Sequence, residues 1–97
     1  MPEEPEFLDE AREEFEDAVE WYKGRNPRAA AAFVAEVRAA VARICEMPHT
    51  CSADVAGAQR VLLQRFPYKV VYRMSGDRVV IVAVAHQKRV PGYWRHR

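Results

Sequence analysis

The chain has 97 residues, of which 49% are hydrophobic and 30% charged, a composition typical of one globular domain with its own core. No stretch approaches the roughly 20 apolar residues of a membrane-spanning helix, and the acidic start differs from an export signal. We therefore expect a cytoplasmic protein without a membrane partner. The net charge of +1 conceals an asymmetry: residues 1–50 hold twelve acidic and six basic side chains, whereas residues 51–97 hold two and nine. The basic half suits an anionic partner.

The first predicted helix follows a segment with little signal. Glu6–Leu8 can add a brief edge strand, and Asp9 is a suitable N-cap for a helix over Glu10–Lys23. Apolar residues recur there at helical spacing and predict one buried stripe: Ala11, Phe15, Ala18 and Tyr22, with Val19 beside it. Four carboxylates of the same helix are expected to complement the helix dipole and face solvent rather than act as acids or bases: Glu10, Glu13, Glu14 and Asp17. Trp21 and Tyr22 are interpreted as core and interface residues.

The second predicted helix starts soon after Gly24, which ends the first. Asn26 supplies a capping side chain, and Pro27 has a ring whose missing N–H has no cost at that position. The helix continues to Met47 before Pro48. Because the linker is so short, the two helices are predicted to form an antiparallel hairpin.

Motifs for metal, nucleotide or hydrolytic chemistry do not occur in the sequence. Cys45, His49 and Cys51 lie together, but they lack the fourth ligand and the paired spacing of a zinc site, and a cytosolic disulfide is uncommon. There is no Gly-rich phosphate loop, His-Glu-x-x-His pair, Ser/His/Asp set or helix-turn-helix signal. We therefore expect no metal and no cofactor, and interpret Cys45 as a small core residue.

The second half of the chain predicts an antiparallel sheet. Strands over Arg60–Phe66 and Tyr68–Met74 precede Val79–Ala85, an uninterrupted apolar run typical of a central strand. The turn at Ser75–Asp77 joins the last two strands as a hairpin. The element order predicts an α+β fold in a single domain over residues 1–97, with an N-terminal antiparallel helical hairpin on a C-terminal antiparallel sheet of three to four strands.

A two-residue turn at Gly76 and Asp77 would fix which hairpin residues share a face. The pairs on one face would be Ser75–Arg78, Arg73–Val80, Val71–Val82 and Lys69–Val84, with His86 at the strand end. The opposite face is apolar and aromatic and is predicted to contact the helices; it comprises Tyr68, Val70, Tyr72, Val79, Ile81, Ala83 and Ala85. The first face, with Lys69, Arg73 and His86 among exposed valines, is predicted to bind a partner. A β-bulge would change this assignment.

The tail after the last strand is aromatic and basic. Tyr93 and Trp94 would leave two large rings in water if the tail were unstructured, so we expect Pro91–Trp94 to pack over the sheet edge or on a partner. Arg95–Arg97 are expected to fray.

Several segments together resemble a known family. AVEWY and NPRAAAAF belong to the helical hairpin, and RFPYKVVYR, GDRVVIVAVAHQKR and PGYWRHR follow in the sheet and the tail. Over nearly its whole length the chain resembles the RelE/ParE superfamily of type II toxin–antitoxin toxins. It departs from the family at the N-terminus, where a clear strand is usual and only Glu6–Leu8 is available. The resemblance implies a RelE/ParE-like fold and a hetero-oligomer with a cognate antitoxin.

The resemblance leaves two mechanisms open. ParE-like toxins poison DNA gyrase, whereas RelE-like toxins cut messenger RNA on the ribosome with basic sheet residues and an aromatic tail residue. The His86-x-x-Arg89 ending of the last strand is more similar to the ParE side, which we prefer. A nuclease would need cations for its anionic transition state and a proton-moving group; the catalytic candidates are His86, Arg89, Tyr93 and Arg65.

Two further expectations accompany these mechanisms. The residues expected to contact the antitoxin or the target, whether gyrase or the ribosome and its mRNA, are Lys69, Arg73, Lys88 and Trp94. Plainer interpretations also stay open, because His86 can simply end a buried strand and the chain can be an inert interaction module.

Overall fold

Two helices lie on one face of a five-stranded mixed sheet in the computed structural model, which describes residues 4–97; residues 1–3 of the predicted domain lie outside it. The helices are α1 (Asp9–Lys23) and α2 (Pro27–Glu46). The strands are β1 (Glu6–Phe7), β2 (Ser52–Ala53), β3 (Gln59–Leu62), β4 (Tyr68–Ser75) and β5 (Arg78–His86), in the spatial order β1-β5-β4-β3-β2. β1 runs parallel to β5, and the other neighbouring pairs are antiparallel.

The predicted α+β class is confirmed, and so is the brief N-terminal edge strand. The predicted three to four antiparallel strands become five, because two-residue strands extend the sheet at both edges and the one at the N-terminus is parallel. Strands this short carry almost no periodic signal in a sequence. None of the helices within residues 4–97 is long and apolar enough to cross a membrane.

The helix starts follow local chemistry, with one correction. The Asn26 side chain caps α2 as predicted. The N-cap of α1 is Leu8 and not Asp9, so that prediction is wrong by one residue. The Leu8 N–H donates to the Ile81 carbonyl at 3.1 Å, and the Leu8 carbonyl accepts from the Arg12 N–H at 3.0 Å. Leu8 therefore completes the edge pairing and the first helical turn together.

A β-bulge divides the hairpin of β4 and β5. On the turn side of the bulge the predicted register is confirmed; the pairs are Ser75–Arg78, Met74–Val79, Arg73–Val80 and Tyr72–Ile81. On the other side the predicted Val71–Val82 and Lys69–Val84 pairs are wrong, because Val82 is an additional residue that has no partner in the register of β4. The observed pairs there are Val71–Ala83, Val70–Val84, Lys69–Ala85 and Tyr68–His86.

The bulge exchanges the two sheet faces for the residues that follow it. One additional residue turns every later side chain to the opposite face. Val84 accordingly packs in the core beneath the helices, and His86 packs against Tyr68, while Ala83 and Ala85 pack on the other face. The predicted grouping of His86 with Lys69 and Arg73 is therefore wrong.

Residues 90–97, here called the tail, cover the sheet face opposite the helices. Trp94 is fully buried there and packs with Val71, Val82 and neighbouring alanines. The expectation that this face exposes valines is wrong, since Val71 and Val82 lie beneath the tail and Val84 lies beneath the helices. The tail aromatics thus pack on the sheet of their own chain.

Candidate functional site

A cleft of about 510 Å³ opens between α1, the end of β5 and the tail. Its lining comprises Glu14, Asp17, Ala18, Trp21 and Tyr22 from α1, Pro67, Tyr68, Val84 and His86 from the sheet side, and Arg89 and Tyr93 beyond β5. Residues three or four apart share one side of a helix, which explains the contribution of α1. Three predicted site residues therefore meet at one cleft: His86, Arg89 and Tyr93. The bulge is what turns His86 toward it.

Glu14 connects this cleft to the tail, although the sequence interpretation placed it in solvent. Its side chain is only 16% exposed. The Tyr93 hydroxyl donates to Oε2 at 2.5 Å, and the Arg97 guanidinium donates to the two oxygens at 2.9 and 3.1 Å. The Val84 N–H donates to Oε1 at 3.1 Å. Position 14 lies one helical turn from the buried Ala18, and that spacing is the sequence signal that could have identified it.

Arg97 is held firmly, so the expectation that it frays is wrong. Its guanidinium also donates to the Val82 carbonyl at 3.1 Å, and its main-chain oxygen accepts a hydrogen bond from Arg73. Burial alone would lower the pKa of Arg97, but the hydrogen bonds and charge of Glu14 raise it above its ordinary value. We call the contacts among Glu14, Tyr93 and Arg97 the Glu14 latch, because they fasten the tail to α1 and β5.

The two groups that could move a proton, His86 and Tyr93, both form hydrogen bonds within the chain. His86 Nδ1 accepts the Lys88 N–H at 3.1 Å, so the proton of the neutral imidazole lies on Nε2. The Tyr93 hydroxyl donates to Glu14. Burial, together with the hydrogen bond and charge of Glu14, raises the pKa of Tyr93 well above its ordinary value. In this arrangement both side chains are hydrogen-bond donors, His86 through its Nε2–H and Tyr93 through its hydroxyl.

Arg89 and Lys88 present cations in the turn that follows β5. The Arg89 N–H donates to the His86 carbonyl at 3.0 Å, which closes the turn. The Arg89 guanidinium carbon lies 3.9 Å from the centroid of the Tyr93 ring, a cation–π contact. Both side chains are exposed, and within residues 4–97 neither forms a salt bridge.

The other predicted basic residues lie outside the cleft and have internal partners. Lys69 Nζ is 2.6 Å from a buried Asp54 carboxylate oxygen. Arg65 pairs with Glu36 at 3.3 Å beside a separate groove between α2 and β3. Arg73 donates to the tail, as described above. The structure therefore does not bring Arg65, Lys69 or Arg73 together with His86.

The two tryptophans have opposite environments. Trp94, a predicted partner contact, is fully buried and could reach a partner only if the tail moved. Trp21, interpreted together with Tyr22 as core and interface, is 51% exposed, so the prediction is wrong in placing it in the core. Neighbouring helix residues point about 100° apart, and Tyr22 takes the inward position. The Arg25 guanidinium carbon lies 3.7 Å from the centroid of the Trp21 ring.

No metal site is apparent in the part of the chain that the structure describes. Within residues 4–97, no group of three or more His, Cys, Asp or Glu side chains is arranged to hold an ion. Cys45 and Cys51 are free and partly buried, and both pack against the helix-side core. Burial raises the pKa of the Cys45 thiol, which makes that thiol less reactive.

Comparisons with known proteins agree with this architecture. The family model described as "ParE toxin of type II toxin-antitoxin system, parDE" matches residues 6–91. A solved structure of a chromosomal ParDE TA system from P. aeruginosa is similar, with a TM-score of 0.75 and 16% sequence identity. That alignment covers 88% of this chain and 96% of the other, and it shows a shared fold. No curated protein sequence matches the chain. Because the family model spans most of the sequence, the chain belongs to the ParE toxin family of type II toxin–antitoxin systems.

Proposed function

We propose that this chain arrests growth in the cytoplasm by poisoning DNA gyrase and that a cognate antitoxin neutralises it. Membership of the ParE toxin family supports a toxin role. The similar solved structure is described as a ParDE system, which supports an antitoxin partner. ParE-like toxins need no nuclease site. The positions of the charged side chains favour a mechanism of this kind, without RNA cleavage.

The observation that carries this preference is the pairing of the basic residues. A phosphodiester transition state requires several cations that converge on one point. Lys69 and Arg65 are instead bound to Asp54 and Glu36, and neither lines the cleft. Among the described residues, Arg89 is the one arginine in the cleft lining. A single exposed guanidinium suits contact with a protein better than phosphoryl chemistry.

Proton transfer is disfavoured for a related reason. Cleavage of RNA through the ribose 2′-hydroxyl needs a base with a free lone pair near that group. The Nδ1 lone pair of His86 is occupied by the Lys88 N–H, and the Tyr93 hydroxyl donates a hydrogen bond to Glu14. A gyrase poison moves no proton, so it has no need of such a base.

RNA cleavage on the ribosome remains the second candidate, and one observation favours it. His86, Arg89 and Tyr93 do line the same cleft, as a RelE-like site would require. In that mechanism His86 would have to exchange its tautomer, with Nε2 becoming the base, before each turnover.

The structure changes which residues we propose as contacts with the antitoxin or the target. Lys88 and Arg89 are exposed in the turn after β5, where Arg89 also lines the cleft, and they are the cations we assign to partner binding. Lys69, Arg73 and Trp94 are bound within the sheet and the tail, where we assign them to supporting the fold.

The test is to induce the chain alone and to assay gyrase-linked DNA breaks and ribosome-dependent mRNA cleavage in the same cells. We expect growth arrest with DNA breaks, relieved by co-expression of the antitoxin candidate from the same operon. Arg89→Ala should reduce toxicity at matched expression without unfolding, while Arg78→Ala, an exposed arginine at the opposite end of β5, should not. Cleaved mRNA without DNA breaks would contradict the gyrase target. Unchanged growth would contradict the toxin role and support an inert module.

A further inference from the structure

We propose that the cleft between α1 and the tail accepts an arginine side chain of a protein partner, held between the aromatic floor and Asp17. The proposal rests on the proposed function, which gives the chain protein partners. The residues that line the cleft determine which kind of side chain it can bind.

The floor of the cleft is a row of rings. Trp21, Tyr22, Tyr68 and His86 follow one another edge to face, with centroid separations of 5.0, 6.4 and 5.0 Å. The faces of tryptophan and tyrosine rings carry negative partial charge and attract cations. A planar guanidinium can stack on such a face while its N–H groups bind a carboxylate at the side. The row therefore favours an arginine over a compact ammonium group.

A carboxylate without a partner stands beside this row. Asp17 is exposed and lines the cleft, and within residues 4–97 its side chain forms no salt bridge or hydrogen bond. The oxygens of Glu14, by contrast, are already occupied by the latch. Further exposed carboxylates of α1 add negative potential around Asp17: Glu10, Glu13, Glu16 and Glu20. This wall of the cleft therefore attracts a cation.

The molecule already places three of its own guanidinium groups on rings of this cleft. Arg25 lies over Trp21 at 3.7 Å from the ring centroid, and Arg89 and Arg97 lie over Tyr93 at 3.9 and 5.1 Å. Within residues 4–97 no cation lies on the rings of Tyr22 or Tyr68. A further guanidinium, supplied by a partner, can occupy that middle section beside Asp17.

An acidic side chain is the competing occupant, because Arg89 lines the opposite wall. The ring faces and Asp17 would both repel a carboxylate, however, whereas Arg89 already forms a cation–π contact with Tyr93. A partner arginine thus gains two attractive contacts, and a partner carboxylate gains one and meets two repulsive ones.

The two tryptophans supply a direct test. Trp21 lines the cleft and Trp94 is buried under the tail, so their indole N–H signals in an NMR spectrum of the ¹⁵N-labelled chain report on the site and on an internal control. We expect N-acetyl-arginine amide to shift the Trp21 signal saturably with a millimolar Kd and to leave Trp94 unchanged. N-acetyl-glutamine amide and N-acetyl-glutamate amide should bind more weakly.

Asp17→Asn should weaken binding of the arginine probe roughly two- to five-fold, the range of an exposed ion pair. Asp77→Asn removes an exposed carboxylate in the turn at the opposite end of β5 from the cleft and should leave it unchanged. The proposal is overturned if Trp21 shows no saturable shift, if the glutamine or glutamate probe binds as tightly, or if Asp17→Asn has no effect. A chain that binds the probe without arresting growth would contradict only the proposed function. A chain that arrests growth but does not bind the arginine probe would contradict only this inference.

Discussion

Replacing Glu14 by Gln removes the negative charge that holds Tyr93 and Arg97 of the tail. The amide keeps the size of the side chain but offers a neutral oxygen and an N–H₂ group to Tyr93 and Arg97, both of which are themselves donors. The Arg97 guanidinium would then remain largely buried without a counter-ion. We therefore expect the tail to detach from α1 and the unfolding free energy to fall.

The expected loss follows from the contacts and their burial. Hydrogen bonds to a charged group contribute about 1.5–3 kcal/mol each, but those that share one carboxylate are not additive. Breaking a fully buried ion pair costs about 3–5 kcal/mol. The Glu14 and Arg97 side chains are 16% and 17% exposed, so water recovers part of that cost. We expect a loss of about 2–4 kcal/mol, or a Tm lower by roughly 10–25 °C for a domain of this size.

Urea unfolding of Glu14→Gln, Arg97→Gln and the double variant measures this effect as a thermodynamic cycle. The two sites should couple by at least about 1 kcal/mol. Glu13→Gln is the matched control, because it removes an exposed carboxylate one residue earlier and should change stability by less than about 0.5 kcal/mol. Additive single changes, or a Glu14 variant as stable as the control, would refute the claim that the latch holds the tail.

Two further predictions concern the mechanism and the pH dependence of stability. Tyr93→Phe should remain toxic, because the ring still supports Arg89 and a gyrase poison moves no proton; a folded but inactive Tyr93→Phe protein, with mRNA cleavage by the parent, would instead favour the nuclease. Burial alone would raise the pKa of Asp54, but the hydrogen bonds from Lys69 and the Val55 N–H, with the charge of Lys69, lower it overall. A carboxylate whose pKa is lower in the folded than in the unfolded state contributes its full stabilisation at pH values above the unfolded pKa. The unfolding free energy should therefore fall as the pH drops below about 4. Asp54→Asn should flatten that fall in urea titrations at several pH values, and an unchanged acid slope would exclude Asp54 as a cause.

The helices could be predicted from the sequence because their signals are local. The buried stripe of α1 and the cap and proline at the start of α2 lie within a few residues of the structures that they determine. The same holds for the hairpin turn, where Gly76 adopts a positive φ of 60° and fixes the register as far as Tyr72. Each of these features is determined by residues that lie close to it in the sequence.

The bulge and the tail could not be predicted, because both depend on distant contacts. An additional residue in a continuous run of Val and Ala has no signature of its own, since every nearby register buries similar side chains. The position of the bulge decides whether His86 faces the helices or the tail. The Glu14 latch likewise joins residues from the two ends of the chain. The spacing from Ala18 places Glu14 beside the buried stripe of α1, but it does not indicate that its partners lie in the tail.

The charge asymmetry between the two halves of the chain has a different meaning once the folded partners are known. The basic half is partly neutralised in the fold, because Arg65 and Arg97 pair with Glu36 and Glu14 from the acidic half. In the cleft lining, Arg89 of the turn after β5 is an exposed cation, and within residues 4–97 Asp17 of α1 forms no salt bridge. A partner that docks here therefore meets both signs of charge across an aromatic floor. An acidic segment alone, which the basic half of the sequence suggested, would satisfy only one of the two walls, so complementary charges of both signs should decide which partner binds.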